Sequence, residues 1–162
     1  MIDPITIFVS GLSNPVFTPI AAFLDAYGYY LMGVLFLLVL WKFREKRKQL
    51  ILTMIIVVIL TAGLKLALPI QRPCLEGIQS KIACPSENSF PSGHSSTAFG
   101  LAFGSLGTVA SYAFWPFALL MGFARVYLGV HSFFDVLGSF VVGAIAWLLA
   151  RIIERRFFGR KK

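Results

Sequence analysis

Charge is what this chain has least of. Only 14% of its 162 residues are Asp, Glu, Lys or Arg, where a soluble domain carries roughly 25%. The acids are scarcer than the bases, 7 against 15, and there are just two histidines and two cysteines. With no cluster of carboxylates, the composition argues against a two-metal hydrolase. No internal repeat or low-complexity segment is present. The start, Met1-Ile2-Asp3-Pro4, has no basic n-region, so a cleaved signal peptide is not expected.

What is abundant is apolar. The chain is 57% hydrophobic, with a mean hydropathy of +0.79, which is the composition of an integral membrane protein. Five helices of ~20 residues would use most of it, so one domain over residues 1–162 is expected. The net charge of +8 could suggest nucleic acid, but its placement argues against such a partner. Eleven of the fifteen Lys/Arg fall in two patches, Lys42 to Lys48 and Arg151 to Lys162. Both flank apolar stretches, as orientation signals do.

The expected architecture is all-α: about five transmembrane helices preceded by a short interfacial helix. Residues 3–12 supply the interfacial helix, with Asp3 as N-cap, Pro4 at the first position, and Ile5, Phe8, Val9 and Leu12 as an apolar stripe. Pro15 to Phe43 would measure about 43 Å as one helix. An elbow near Asp25 and Gly28 is therefore expected, with the first span from Gly28 to Trp41 and with Tyr27, Tyr29 and Tyr30 in the aromatic belt. Further spans are expected over Leu50–Leu68, His94–Ser111, Phe114–Val130 and Phe133–Leu149. Pro69 ends the second, and Gly100-x-x-x-Gly104 in the third predicts close helix packing. Cys74 and Cys84 share the polar loop 69–90, and a disulfide between them is expected if that loop faces an oxidising compartment.

Alternation of the spans places both basic patches on one side. It places Lys65, Arg72, Ser92, Gly93, His94, Arg125, His131 and Asp135 together on the other. Three fixed cations, a hydroxyl and a glycine amide at a helix start suit a phosphate-like oxyanion. His131 and Asp135 are i and i+4 and share a face if helical. The carboxylate can fix one imidazole nitrogen and leave the other as nucleophile, while His94 is placed to act as general acid.

The run Lys65-x6-Arg72-Pro73, Pro91-Ser92-Gly93-His94 and Arg125-x5-His131-x3-Asp135 closely resembles the three-part signature of the type 2 phosphatidic acid phosphatase family, in order and in spacing. The resemblance implies a phosphohistidine at His131, supported by Asp135, with His94 protonating the leaving group and then activating water. It implies that Lys65, Arg72, Ser92, Gly93 and Arg125 hold the phosphoryl oxygens, with no metal and no cofactor. One position departs from the pattern: Ala124 stands where the family usually has serine, removing a hydroxyl contact. The implied activity is that of a lipid phosphatase of a bacterial-type inner membrane, its site outside and its C-terminus cytoplasmic. Lipid A 1-phosphate, phosphatidylglycerophosphate and undecaprenyl pyrophosphate are the candidate substrates. A phosphotransferase using the same intermediate, or a non-enzymatic anion-binding membrane protein, are the rival readings. Asp25 matches no motif and reads as structural or interfacial, and Lys81 as loop surface that could touch a headgroup. Oligomeric state is not legible.

Overall fold

The computed structural model describes residues 2–158, so the last part of the basic tail expected over Arg151–Lys162 lies outside the described residues. Among the described residues six α-helices follow one another: α1 Pro4–Gly11, α2 Phe17–Lys42, α3 Arg47–Ala67, α4 Gly93–Gly104, α5 Ser111–Tyr127 and α6 Phe133–Ile153. Among the described residues there is no strand. Three segments are long and apolar enough to cross a membrane: Phe17–Lys42, Arg44–Ala67 and Phe133–Phe157.

Local chemistry explains the starts. Asp3 accepts the Thr6 amide at 2.8 Å, and Pro4 occupies the first turn, where its missing N–H costs nothing. The Asn14 carboxamide accepts the Val16 and Phe17 amides, each at 2.9 Å. Ser132 and Asp135 form a reciprocal capping box at the start of α6.

The expected elbow in α2 is absent. The helix runs unbroken for 26 residues, because its interior face (Ala21, Leu24, Gly28 and Met32) is buried along its length. Gly28 is a contact rather than a hinge: a Cβ there would lie 3.0 Å from Met121 Cε and 3.1 Å from His94 Cδ2. Asp25 turns inward as well.

The third and fourth helices also differ from expectation. α4 stops at Gly104 instead of Ser111, and its 12 residues rise only about 18 Å. Beyond it, the Ser105, Thr108 and Ser111 hydroxyls each donate to a carbonyl three residues back, at 3.1, 2.7 and 2.9 Å. Such back-bonding favours turns over helix, and Gly107 at φ +83° completes this one. α5 starts and ends three residues earlier than expected. Its end is set by Gly129 at φ +75°, a left-handed helix terminus that suits glycine.

α4 is the central helix, packed against α2, α3, α5 and α6, and eight of its twelve residues are buried. Gly100 and Gly104 do bring it close to α3: a Cβ would lie 2.8 Å from Val57 Cγ2 and 2.6 Å from Leu50 Cδ1. Phe99, Phe103, Trp115 and Phe140 fill the seam between α4, α5 and α6, with tilted or edge-on ring pairs at 4.8–6.4 Å. Outward, α2, α3 and α6 expose Leu37, Leu38, Val58, Ile59 and Leu148, an apolar belt suited to lipid contact.

Cys74 and Cys84 are joined by a disulfide, with Cα atoms 6.0 Å apart. Closing so short a loop restricts the unfolded chain by about 2–3 kcal/mol. The loop docks on the end of α5 through Lys81. Its Nζ donates to Ser10 O at 2.5 Å and Tyr127 O at 2.8 Å and lies 4.3 Å from the Tyr127 ring. Lys81 is thus a strut between loop, α1 and α5, and not the free surface residue its setting in the sequence implied.

Candidate active site

The polar residues converge at one end of the bundle, where α3 and α5 finish and α4 and α6 begin. Four of the ionisable side chains there are almost wholly enclosed: Arg72 and Arg125 are 3% exposed, His131 and Asp135 2%. Charges are enclosed this completely only when paired or hydrogen-bonded.

One connected group centres on His131, just before α6. Its Nδ1 faces Asp135 Oδ2 at 3.4 Å and its Nε2 faces Arg72 Nη1 at 3.0 Å. A guanidinium only donates, so Nε2 is the acceptor and the proton resides on Nδ1, toward the carboxylate. Asp135 Oδ2 also accepts Ser89 Oγ at 2.5 Å and the Ser132 amide at 2.7 Å. The carboxylate is therefore immobilised from three directions. Burial holds the His131 imidazole below its usual pKa range, an effect opposed by the hydrogen bond to Asp135 and reinforced by the Arg125 and Arg72 charges. A neutral ring keeps an unprotonated Nε2, here engaged by Arg72, that becomes a nucleophile once that hydrogen bond is given up.

Arg72 is itself fixed, donating Nε to Glu87 O at 2.8 Å and Nη1 to Val130 O at 3.0 Å. Lys65, in the last turn of α3, donates to Asn88 O at 2.5 Å, and Asn88 Nδ2 returns a bond to Lys65 O at 2.7 Å. Since Asn88 precedes Ser89, this exchange ties the lysine to the His131 group.

A second group centres on Asp25 of α2. Its carboxylate forms an ion pair with Arg125 Nη1, and its backbone carbonyl accepts His94 Nε2 at 3.1 Å. Tyr29, one turn along α2, stacks on the His94 ring with centroids 4.0 Å apart. Arg125 Nε is buried without a partner, a donor still available to an anion. Ser92 and Gly93 link the groups. The Ser92 amide donates to Asp135 O at 3.4 Å, and Ser139 Oγ donates to Ser92 O at 3.0 Å. The Ser92 hydroxyl is the N-cap of α4, meeting the Ser95 amide at 3.5 Å. A Cβ on Gly93 would lie 2.5 Å from Tyr29 Oη, so glycine here lets α2 close over the helix start.

All eight residues singled out from the sequence gather here. Four others that sequence reasoning missed join them: Asp25, Tyr29, Asn88 and Ser89. For Asp25 a signal existed, since a lone carboxylate within an apolar helix is costly unless it has a partner. Ala124 is fully buried in the core. Among the described residues, no group of three or more His, Cys, Asp or Glu is arranged to hold a metal ion.

Known proteins resemble this chain in sequence and in fold. The chain is 36% identical to the putative undecaprenyl-diphosphatase YbjG of Escherichia coli (strain K12) over 92 residues, which is 52% of this chain and 45% of that protein. It thus spans less than half the length of that curated relative. The crystal structure of LpxE from Aquifex aeolicus superposes with a TM-score of 0.80 at 25% identity, over 91% of this chain and 93% of the other. The transmembrane PAP2-type phosphatidylglycerolphosphate phosphatase of Bacillus subtilis shares the fold, with a TM-score of 0.71 at 21% identity over 94% and 84% of the two chains. The family model of the PAP2 superfamily matches residues 46–158, a stretch holding all three signature segments, and the chain belongs to that superfamily.

Proposed function

We propose that this protein is a membrane lipid phosphatase that cleaves a lipid phosphomonoester or pyrophosphate through a phosphohistidine on His131. The observation that carries the reading is the buried series Arg72–His131–Asp135–Ser89, which holds a neutral imidazole with its acceptor nitrogen against a guanidinium. An incoming phosphate takes the place of His131 as the acceptor for Arg72. This frees the Nε2 lone pair beside an electrophilic phosphorus whose oxygens meet Arg72, Arg125 and Lys65. Nε2 forms the P–N bond as the bond to the lipid oxygen breaks. The Nδ1 proton stays on the ring, where Asp135 stabilises the cation that forms. His94 carries two protons when it acts as acid, a state favoured by the dianionic substrate beside it. It gives one to the leaving oxygen and, now neutral, takes one from the water that hydrolyses the phosphohistidine.

In this reading Asp25 is the stand-in anion. It occupies Arg125 until phosphate arrives and lets the guanidinium remain charged in a buried setting. Lipid A 1-phosphate, phosphatidylglycerophosphate and undecaprenyl pyrophosphate are the candidate substrates, the last two supported by the names of the similar proteins. The basic residues from Lys42 to Lys48 and from Arg151 to Arg156, at the far end of the bundle, support a cytoplasmic location for that end and a periplasmic location for the site.

Phosphate release from a panel of these lipids in detergent, with chelator present, tests the proposal. Release by the parent protein and a loss of at least a thousandfold in His131→Ala are expected. Activity lost to chelator, or retained in His131→Ala, would contradict the mechanism.

A further inference from the structure

The opposite end of the bundle holds a polar cavity that the chemistry above does not use. It lies some 28 Å along α3 from Lys65, at 1.5 Å per residue. About 230 Å³ in volume, it is lined by Lys46, Gln49, Leu106, Gly107, Trp147 and Arg151. No carboxylate is among these residues, and the side chains that carry polarity are two cations, an amide and an indole N–H. Gln49 is 6% exposed and places its side chain in the wall of the cavity. Trp147 Nε1 is buried on the same wall without an acceptor. A buried donor left unpaired is expensive, and here one shares a small cavity with two cations.

The cations are placed, not merely nearby. The Arg151 guanidinium lies 4.8 Å from the Trp147 ring, a stacking that fixes its direction. Lys46 Nζ rests over Gly107, where a Cβ would be 3.5 Å away, and the left-handed turn at Gly107 brings the chain under it. α3 begins here with no side-chain cap, so the positive end of a 21-residue helix adds to the field. A neighbouring cavity of about 580 Å³ shares Lys46 and Gly107 and adds Lys42 and Arg44, with Glu45 as its one carboxylate.

We propose that this cavity binds the phosphate group of an anionic phospholipid. Free phosphate offers the same oxygens, but the surroundings favour a lipid. Leu148 and Ile152, on either side of Arg151, are 50% and 59% exposed and continue the belt along which acyl chains would run. The site is independent of the reaction at the other end.

Native mass spectrometry of the full chain in detergent, titrated with phosphatidylglycerol, phosphatidylcholine or inorganic phosphate, tests this. Retained phosphatidylglycerol is expected, without retained phosphatidylcholine, and weakened roughly fivefold by each of Lys46→Ala and Arg151→Ala. Gln49→Leu keeps the shape of its side chain and removes the amide, so it weakens retention without threatening the fold. Arg125→Ala, at the far end, leaves it unchanged. Retention unaffected in a monodisperse Lys46→Ala/Arg151→Ala protein or in Gln49→Leu would overturn the proposal, as would loss in Arg125→Ala. Displacement of the lipid by an equal concentration of inorganic phosphate would overturn the lipid assignment.

Discussion

His131 presents two nitrogens to unlike neighbours, and the proposed chemistry depends on that asymmetry. Nδ1 faces a carboxylate and Nε2 a guanidinium, so the ring is held neutral, and burial depresses its pKa. The consequence for pH dependence has a definite sign. A nucleophile must be unprotonated, and a depressed pKa keeps it so as pH falls through 6.5, the ordinary imidazole value. The acid limb of kcat/KM is therefore expected well below that value for a diester-free substrate analogue whose own ionisation is already complete. An acid limb at 6.5 that moves with substitution of Asp135 would show His131 titrating normally. Asp25 yields a second prediction at this scale. Asn in its place keeps the helix and removes the anion that competes for Arg125. Inorganic phosphate should then inhibit about fivefold more strongly, as expected from loss of an ion pair worth about 1 kcal/mol. The melting temperature should fall and be restored by phosphate. A weaker phosphate inhibition in Asp25→Asn would mean that the carboxylate holds Arg125 in place for the substrate instead of competing with it.

Among the elements, the segment 88–92 matters most to the site, because it carries Asn88, Ser89 and Ser92 between α3 and α4. Its position is set from α6. Gly138 lies against Phe90, and a Cβ there would fall 2.2 Å from the ring edge. Gly138→Ala must push Phe90 away, and with it the adjacent Ser89 that donates to Asp135. A stability loss of about 1–3 kcal/mol is expected, with kcat falling more than KM rises, since the nucleophile's support moves while Arg72 and Arg125, held from outside the segment, stay. Thermal unfolding and steady-state kinetics in detergent check this, and an unchanged kcat would show that Ser89 is not needed to hold the carboxylate.

For the molecule as a whole, sequence and structure diverge where the controlling interactions are tertiary. Gathering the eight site residues at one end followed from alternating the spans, because hydropathy and charge placement both report on the membrane. The cut-off of α4 was hidden in the apolar run 95–111, where hydroxyls at Ser105 and Thr108 count little toward hydropathy but bond their own backbone. The straightness of α2 was hidden too. Asp25 and Gly28 look like breakers in isolation, and only the partners supplied by Arg125, 100 residues away, and by His94 make them part of a buried face. The same limit explains why Asn88 and Ser89 escaped notice and why Asp25 read as structural or interfacial, since none sits in a spacing that a linear motif can express.

The central claim is the covalent bond to His131, and chemical trapping reaches it directly. Protein mixed with a ³²P-labelled lipid phosphate and quenched in alkaline denaturant should carry label that is stable to base and labile to acid, as a phosphoramidate is. The label should map to the peptide containing His131 and be absent from His131→Ala. Accumulation is expected in His94→Ala given a substrate with a good leaving group, because hydrolysis then lacks its base. Label that survives acid, or that persists in His131→Ala, would contradict the account.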